Sequence, residues 1–182
     1  KDIIDTRDYA TELGTVLHEG RKPSIDATLV SLLKEAGAII LGKTVTTELA
    51  VLEPGKTSNP HNNAHTPGGS SSGSAAAVAS AMVPLAVGTQ TNGSVIRPAS
   101  FCGIYGFKPS FGRISRQGIL KQSTPLDTVG LFARCLDDLA LISDVVMRYD
   151  AQDDAMSPIA PPCMISVMAE PIPVDPVFAF VR

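Results

Sequence analysis

The feature that most constrains this chain is the segment TPGGSSSGSAAAVASA at residues 66–81. Its first half has the glycines, proline and serines of a flexible linker, whereas its second half combines high helix propensity with very small side chains. A second Gly/Ser-rich cluster, GTQTNGS at residues 88–94, follows one short apolar run later. Two such clusters around one helix and one strand predict a fixed loop that holds serine hydroxyls in place, rather than a tether.

The rest of the chain alternates helical and buried apolar patterns, which predicts an α/β fold. A helix is expected from residue 24 to 36, where apolar residues recur at helical spacing, with Gly37 at its C-cap. Pro84 should end the helix that begins at residue 74. The other predicted elements are strands at 38–41, 85–87 and 104–108, a short helix at 46–51, a long loop at 53–73, and a helix at 137–149.

Composition limits the classes of function. The 15 basic and 18 acidic residues leave no excess of positive charge for nucleic acid or an anionic membrane. No apolar run is long enough to span a bilayer, and the N-terminus lacks the basic-then-apolar layout of a signal peptide. The chain has three cysteines, Cys102, Cys135 and Cys163, with no C-x-x-C pair and no neighbouring histidines. This pattern predicts neither a disulfide framework nor a metal site. A soluble cytoplasmic protein without a cofactor is therefore expected.

Both ends look cut from a longer chain. The sequence begins without a methionine, at KDIID, and it stops just after the apolar run VFAFV. We expect residues 1–150 to form the core, truncated at its N-terminus. Residues 151–182 should form a Pro-rich connector and the start of a further strand.

Two short motifs suggest a serine nucleophile, but their contexts argue against them. The sequence GSSSG at 69–73 matches the G-x-S-x-G elbow of α/β-hydrolases, which needs a strand before the serine and a histidine after it. No strand is predicted there, and every histidine precedes Ser71. The S-x-x-K match at Ser31 and Lys34 lies on an amphipathic helix and is attributed to chance. A serine nucleophile without histidine needs another base, and a lysine held neutral by burial or like charge can serve.

Five blocks in fixed order resemble the amidase signature family. They are KDIIDT, GKTVTTELA, TPGGSSSGSAAAVA, GTQTNGSVIRPASFCGIYGFKPSFGRIS and LDTVGLFAR. Several blocks across residues 1–150 are far more specific than one short motif. The resemblance implies a mixed β-sheet flanked by α-helices, of which this chain would hold a part.

The resemblance also implies a Ser, cis-Ser, Lys triad formed by Ser94, Ser70 and Lys1. Ser94 would attack the acyl carbon, while Ser70, preceded by a cis peptide bond, would pass a proton between Ser94 and Lys1. Lys1 can act as a base only if its pKa lies well below the usual value of about 10.4. An oxyanion hole is expected from the main-chain N–H groups of Thr91, Asn92, Gly93 and Ser94.

Three neighbouring positions need separate interpretation. Arg97 could bind a substrate carboxylate or hold the loop through an acid such as Asp127. Gln90, a candidate substrate-binding residue, stands where many family members carry an acid, a feature shared more with amidases of small acyl amides than with tRNA-dependent amidotransferase subunits. Asn92 replaces a usual glycine. Asparagine tolerates left-handed torsions better than most residues, but its side chain would narrow the space beside the oxyanion.

The expected activity is hydrolysis of a small carboxamide to acid and ammonia through a serine acyl-enzyme. The enzymatic alternative is an amidotransferase subunit of the same family. The alternative outside catalysis is an inactive folded fragment, which a homodimer could stabilise by covering unpaired sheet edges.

Overall fold

The computed structural model describes residues 1–179. Two 3-10 helices, Val16–His18 and Glu48–Ala50, lie in the first third of the chain. The remaining elements follow in chain order: α1 (Thr28–Glu35), α2 (Ser72–Ala79), β1 (Leu85–Gln90), α3 (Ile96–Cys102), β2 (Tyr105–Phe107), β3 (Thr128–Ala133), α4 (Leu136–Val146) and α5 (Met164–Ala169).

The three strands form one sheet in the order β1-β3-β2. Strand β3 is antiparallel to both neighbours, with Leu85 opposite Ala133 in β1 and Phe107 opposite Leu131 in β2. All six residues of β3 are buried, as expected for a central strand. The predicted α/β class is confirmed, and every strand pairing within residues 1–179 is antiparallel.

Alternate side chains of β3 enter two different apolar clusters, one on each face of the sheet. Leu131 belongs to the larger cluster, which includes buried residues of α1 and α4 such as Leu29 and Ile142. Phe132 belongs to the smaller cluster, with Val78 of α2. The sheet is therefore a middle layer, and the helix that follows the Gly/Ser loop packs on the face opposite α1 and α4.

Most predicted helices form, with shifted ends. Helix α2 ends well before Pro84, and α4 covers most of the helix predicted at 137–149. Helix α1 begins at Thr28 rather than at residue 24, and Ile25 is exposed. The expected C-cap glycine is confirmed, because Gly37 follows the end of α1 with a φ of +84°.

The strand predicted at residues 38–41 is wrong. This segment has no regular structure, and its side chains Ile39 and Leu41 are exposed. A strand forms only where another strand pairs with its main chain, and within residues 1–179 none lies beside this segment. The short helix predicted at 46–51 is a 3-10 helix of three residues, and the strand predicted at 104–108 is the shorter β2.

The segment predicted as a Pro-rich connector also contains helix α5. Asp144 of α4 accepts hydrogen bonds from the main-chain N–H groups of Met164 (2.5 Å) and Ile165 (3.2 Å), which holds the start of α5 against α4. Of the final predicted strand, residues 177–179 are irregular and the rest lies outside the described residues. None of the helices in residues 1–179 is long and apolar enough to cross a membrane.

Candidate active site

The loop before α2 is fixed by its own serine side chains, each of which has a different partner. Ser71 Oγ donates to the main-chain oxygen of Thr89 (3.2 Å) and accepts from the Thr89 N–H (3.3 Å). Ser74 Oγ donates to the oxygen of Val87 (2.8 Å). These bonds attach the loop and the start of α2 to strand β1, so the interpretation as a fixed loop rather than a linker is confirmed.

Two glycines, one in the loop and one in the first turn of α2, lie where no side chain fits. Gly68 has a φ of +75°, and a Cβ on it would lie 2.9 Å from the Cα of Pro98. A Cβ on Gly73 would lie 2.5 Å from the main-chain nitrogen of Val45. The loop therefore packs against α3 on one side and against the 43–46 segment on the other. The Gly69–Ser70 peptide bond is cis, as the family resemblance implies.

Lys1 is buried next to this loop, with only 6% of its surface exposed. Its Nζ lies 2.7 Å from Ser70 Oγ and 2.8 Å from Thr89 Oγ1. Burial lowers the pKa of the Lys1 side chain from 10.5 to about 7, although the negative charge of Asp127 raises it. A large fraction of this amine is therefore neutral at neutral pH, and a neutral amine can accept a proton from the Ser70 hydroxyl.

Thr89 is a site residue that sequence analysis missed. It lies in β1, and its side chain is the second hydrogen-bond partner of the Lys1 amine. The available signal was a threonine at the start of the second Gly/Ser cluster, two residues after the apolar run at 85–87. Its hydroxyl helps to aim the amine, because two fixed acceptors define the position of Nζ more closely than one.

Ser94 lies in the turn between β1 and α3, beside the loop that carries Ser70. The N–H of Ser71 donates to the main-chain oxygen of Ser94 at 3.4 Å, which places the two segments in contact. In the part of the chain that the structure describes, the Ser94 hydroxyl makes no hydrogen bond. The structure thus joins Lys1 and Ser70 directly, while Ser94 is connected to them through its main chain.

The four N–H groups expected to form the oxyanion hole are unoccupied by other groups of the chain. Across residues 1–179, none of the main-chain N–H groups of Thr91, Asn92, Gly93 and Ser94 donates a hydrogen bond. Unpaired consecutive donors in a turn can serve an anionic ligand. Asn92 is exposed, and its φ lies outside the left-handed region.

Side chains on both sides hold this turn. Thr91 Oγ1 donates to Asp127 Oδ1 (2.5 Å). The other carboxylate oxygen of Asp127 accepts the N–H groups of Gln122 (2.6 Å) and Ser123 (2.8 Å). Gln90 Oε1 accepts the N–H groups of Val95 and Ile96, so this atom serves the turn itself.

Arg97 does not pair with Asp127. Its guanidinium lies beside Gly93, where an added Cβ would be 2.9 Å from Arg97 Nη2. No acid among residues 1–179 forms an ion pair with Arg97. The residue is exposed, so its charge is directed to solvent next to the proposed oxyanion donors. Within residues 1–179, the arginine that forms a buried ion pair is instead Arg116, with Asp153 at 3.0 Å.

Fold and site together define an α/β protein with a lysine and serine site beside a turn of free main-chain donors. Comparison with known proteins agrees with this class. The sequence profile of the family named Amidase matches residues 1–171, and the chain belongs to this family.

Similar proteins include both amidotransferase subunits and hydrolases. A glutamyl-tRNA(Gln) amidotransferase subunit from Thermus thermophilus is 44% identical over 181 residues, covering 95% of this chain and 38% of that protein. The same subunit from Natranaerobius thermophilus is 45% identical, covering 84% of this chain and 32% of that protein. The chain thus spans about a third of the length of these relatives.

Among solved structures, 6-aminohexanoate cyclic dimer hydrolase matches with a TM-score of 0.87 and 35% identity, covering 94% of this chain and 38% of that one. The peptide amidase of Stenotrophomonas maltophilia matches with a TM-score of 0.85 and 35% identity, covering 93% and 37% respectively.

Proposed function

We propose that this chain carries the active site of an amide hydrolase that cleaves a small carboxamide, with Ser94 as nucleophile, Ser70 as proton relay and Lys1 as base. The observation that supports this most is the contact of 2.7 Å between the Lys1 amine and the Ser70 hydroxyl, at a lysine whose burial lowers its pKa to about 7. No carboxylate of residues 1–179 forms an ion pair with Lys1. A lysine buried against a hydroxyl in this way suits a proton acceptor rather than a structural cation.

In the proposed reaction, the Ser94 oxygen forms a bond to the acyl carbon while its proton passes through Ser70 to Lys1. The negative charge that develops on the acyl oxygen is stabilised by the N–H groups of residues 91–94, and one such donor typically contributes about 3 kcal/mol. Lys1 then returns this proton through the Ser70 hydroxyl to the amide nitrogen, whose bond to the acyl carbon breaks, so that the amine leaves and the acyl group stays on the Ser94 oxygen. Water then cleaves the acyl-enzyme with the same relay.

A second candidate is an amidotransferase subunit that takes ammonia from glutamine for a partner protein. It is favoured by the names of the relatives at 44% and 45% identity. The two candidates share the acyl-enzyme step and differ in the amide and in what receives the ammonia. We expect either protein to act in the cytoplasm.

Covalent labelling tests the shared site, and ammonia release separates the two candidates. The protein is treated with a fluorophosphonate, and the adduct is located by peptide mass spectrometry. Ammonia release is then measured from simple carboxamides and from glutamine. An adduct on Ser94 with release from simple carboxamides supports the hydrolase, and release from glutamine alone supports the amidotransferase. A folded protein that is not labelled would be an inactive fragment.

Replacing Thr89 with valine should slow labelling of Ser94 about tenfold at pH 7. Valine keeps the shape of threonine but removes the second acceptor of the Lys1 amine. A hydrogen bond to a charged group typically contributes about 1.5 to 3 kcal/mol, so its loss should also lower the pKa of Lys1 further. The labelling rate is measured across pH 5 to 9, and its midpoint should shift downward.

The matched control for that variant is Thr128→Val, because Thr128 Oγ1 only donates to the nearby oxygen of Leu126. An unchanged midpoint and rate in Thr89→Val would show that the threonine does not position the amine.

Replacing Arg97 with glutamine should reduce kcat/KM about tenfold for an amide that carries a carboxylate, and leave a neutral amide of the same length unchanged. The free guanidinium beside Gly93 can form a charge-assisted pair with an anionic substrate. The measurement compares ammonia release from a dicarboxylic acid monoamide and from its methyl ester. Arg148→Gln is the control, since this exposed arginine pairs only with Glu35 at 3.5 Å. Equal losses for both substrates would assign Arg97 to holding the loop.

A further inference from the structure

In the proposed mechanism, the turn from Thr91 to Ser94 must orient five groups at the same time: the Ser94 hydroxyl and four main-chain N–H groups. It joins the end of β1 to the start of α3, and apart from the Thr91 hydroxyl its own side chains make no hydrogen bonds within residues 1–179. The main-chain oxygen of Ser94 accepts a long hydrogen bond from the Ser71 N–H, at 3.4 Å, so the main chain that follows Ser94 needs a further partner to be fixed. The hydrogen bonds around the turn identify that group as the side chain of Gln90.

Gln90 is the last residue of β1, and its side chain reaches across the turn to the first residues of α3. Oε1 accepts the N–H of Val95 at 2.9 Å and the N–H of Ile96 at 3.0 Å. The first N–H groups of a helix have no partner inside the helix, so an acceptor from outside satisfies them. Gln90 therefore holds the residue directly after Ser94, while its own main chain directly precedes Thr91.

This arrangement divides the N–H groups of the segment into two sets. Those of Val95 and Ile96 are occupied by Gln90, and that of Arg97 donates to the oxygen of Gly93 at 2.8 Å. The four N–H groups before them remain available to a ligand. Because Gln90 binds only the N–H groups of Val95 and Ile96, it fixes the end of the turn and leaves the four oxyanion donors free.

The chemical nature of the acceptor matters as well as its position. An amide oxygen carries no net charge, whereas a carboxylate at the same place would put a negative charge one residue from Ser94. Such a charge would oppose the negative charge that develops on the acyl oxygen. It would also favour the charged form of a nearby lysine, which raises the pKa of that lysine.

We propose that Gln90 is a positioning residue for the nucleophile: its neutral side-chain oxygen fixes Ser94 and orients the four free N–H groups without adding charge to the site. This inference rests on the proposed function for the role of Ser94. The substrate-binding role expected for Gln90 is then left to its amide nitrogen, because its oxygen is bonded to the turn.

Two variants of Gln90 separate position from charge. Gln90→Met has a similar size and no oxygen, whereas Gln90→Glu keeps an oxygen but adds a charge. We expect Gln90→Met to slow fluorophosphonate labelling of Ser94 about thirtyfold, with the pH midpoint unchanged. Gln90→Glu should be faster than Gln90→Met and slower than wild type, with its midpoint shifted to higher pH. Gln152→Met, an exposed glutamine far along the chain, is the control and should match wild type.

Amide hydrogen exchange supplies a readout that does not depend on labelling. Loss of the acceptor should speed exchange at Val95 and Ile96 at least tenfold in Gln90→Met, while Gln90→Glu keeps their protection. Labelling at the wild-type rate in folded Gln90→Met, or a slower rate in Gln90→Glu than in Gln90→Met, would overturn the inference. Unchanged amide exchange at Val95 and Ile96 in Gln90→Met would also overturn the inference. If Gln90→Met does not fold, loss of protection at these two residues in Gln90→Glu would overturn it instead. If wild type is never labelled, the proposed function fails, and exchange still decides whether Gln90 fixes the turn.

Discussion

Replacing Ser94 with alanine should abolish labelling by a fluorophosphonate, lowering its rate at least a thousandfold. The reagent bonds to a nucleophilic oxygen, and the Ser94 hydroxyl lies on the turn that carries four free N–H groups. The other hydroxyl of this turn, that of Thr91, already donates to Asp127. Removal of a nucleophilic serine is among the largest losses that a single substitution causes in an enzyme. The measurement is the second-order rate of adduct formation, with the adduct located by peptide mass spectrometry.

The fold should be unaffected by this substitution. The Ser94 hydroxyl makes no hydrogen bond within residues 1–179, so its removal leaves no buried group without a partner, and the change in unfolding free energy should stay within about 0.5 kcal/mol. Ser100→Ala is the matched control, because Ser100 is an exposed serine of α3, close to Ser94 in sequence. An adduct that persists in Ser94→Ala would transfer the role of nucleophile to the hydroxyl that carries it, with Ser70 as the first to inspect.

The loop and helix around Ser70 could be predicted from sequence because their physical requirements are local. Glycines that leave no room for a side chain, followed by alanines that form a helix, have few alternative structures. The C-cap at Gly37 and the inward residues of α4 follow from local patterns in the same way. Where short-range chemistry decides the structure, the sequence is sufficient.

The elements that sequence analysis missed depend on distant parts of the chain. Strand β3 contains a glycine and lacks a long apolar run, and it becomes central only because both β1 and β2 pair with it. The segment at 38–41 has the better strand composition but no partner among residues 1–179. Pairing partners, rather than propensity, decide which segment becomes a strand.

The same limit applies to the candidate site. Sequence motifs single out the serines and the lysine, but the partners Thr89, Gln90 and Asp127 are defined by which atoms meet in space. Gln90 stands out in the sequence by its unusual residue type, but only the structure shows that its side-chain oxygen accepts the N–H groups of Val95 and Ile96. The alternative pairing of Arg97 with Asp127 fails for a similar reason, because the carboxylate is already bonded to Thr91 and two main-chain N–H groups.

Replacing Lys1 with methionine should lower the labelling rate at pH 7.5 about a thousandfold, and by clearly less at pH 9.5. The wild-type rate should rise with pH through the Lys1 pKa of about 7, since only the neutral amine accepts a proton. In the variant, hydroxide partly replaces the missing base at high pH, so the ratio of the two rates narrows. Lys56→Met, at an exposed lysine, is the control for a loss of positive charge.

The same substitution has a second consequence, for stability, that does not require catalysis. The pKa of Lys1 falls from 10.5 in the unfolded chain to about 7 in the folded one, so between these values the unfolded chain binds more protons. The free energy of unfolding of wild type should therefore rise with pH in this window and stay flat below pH 7, relative to Lys1→Met. The difference should grow by about 3 kcal/mol between pH 7 and pH 9.5, measured by urea denaturation.

The labelling rates and the unfolding free energies of wild type and Lys1→Met, measured across pH, together test the role of Lys1. A stability difference that rises with pH shows that the folded protein holds a neutral amine, and a narrowing rate ratio shows that this amine acts as a base. A stability difference that stays level from pH 7 to pH 9.5 would mean that Lys1 remains charged beside Ser70. A charged lysine cannot accept the proton of a serine, so that result would exclude the proposed relay even if Ser94 were labelled.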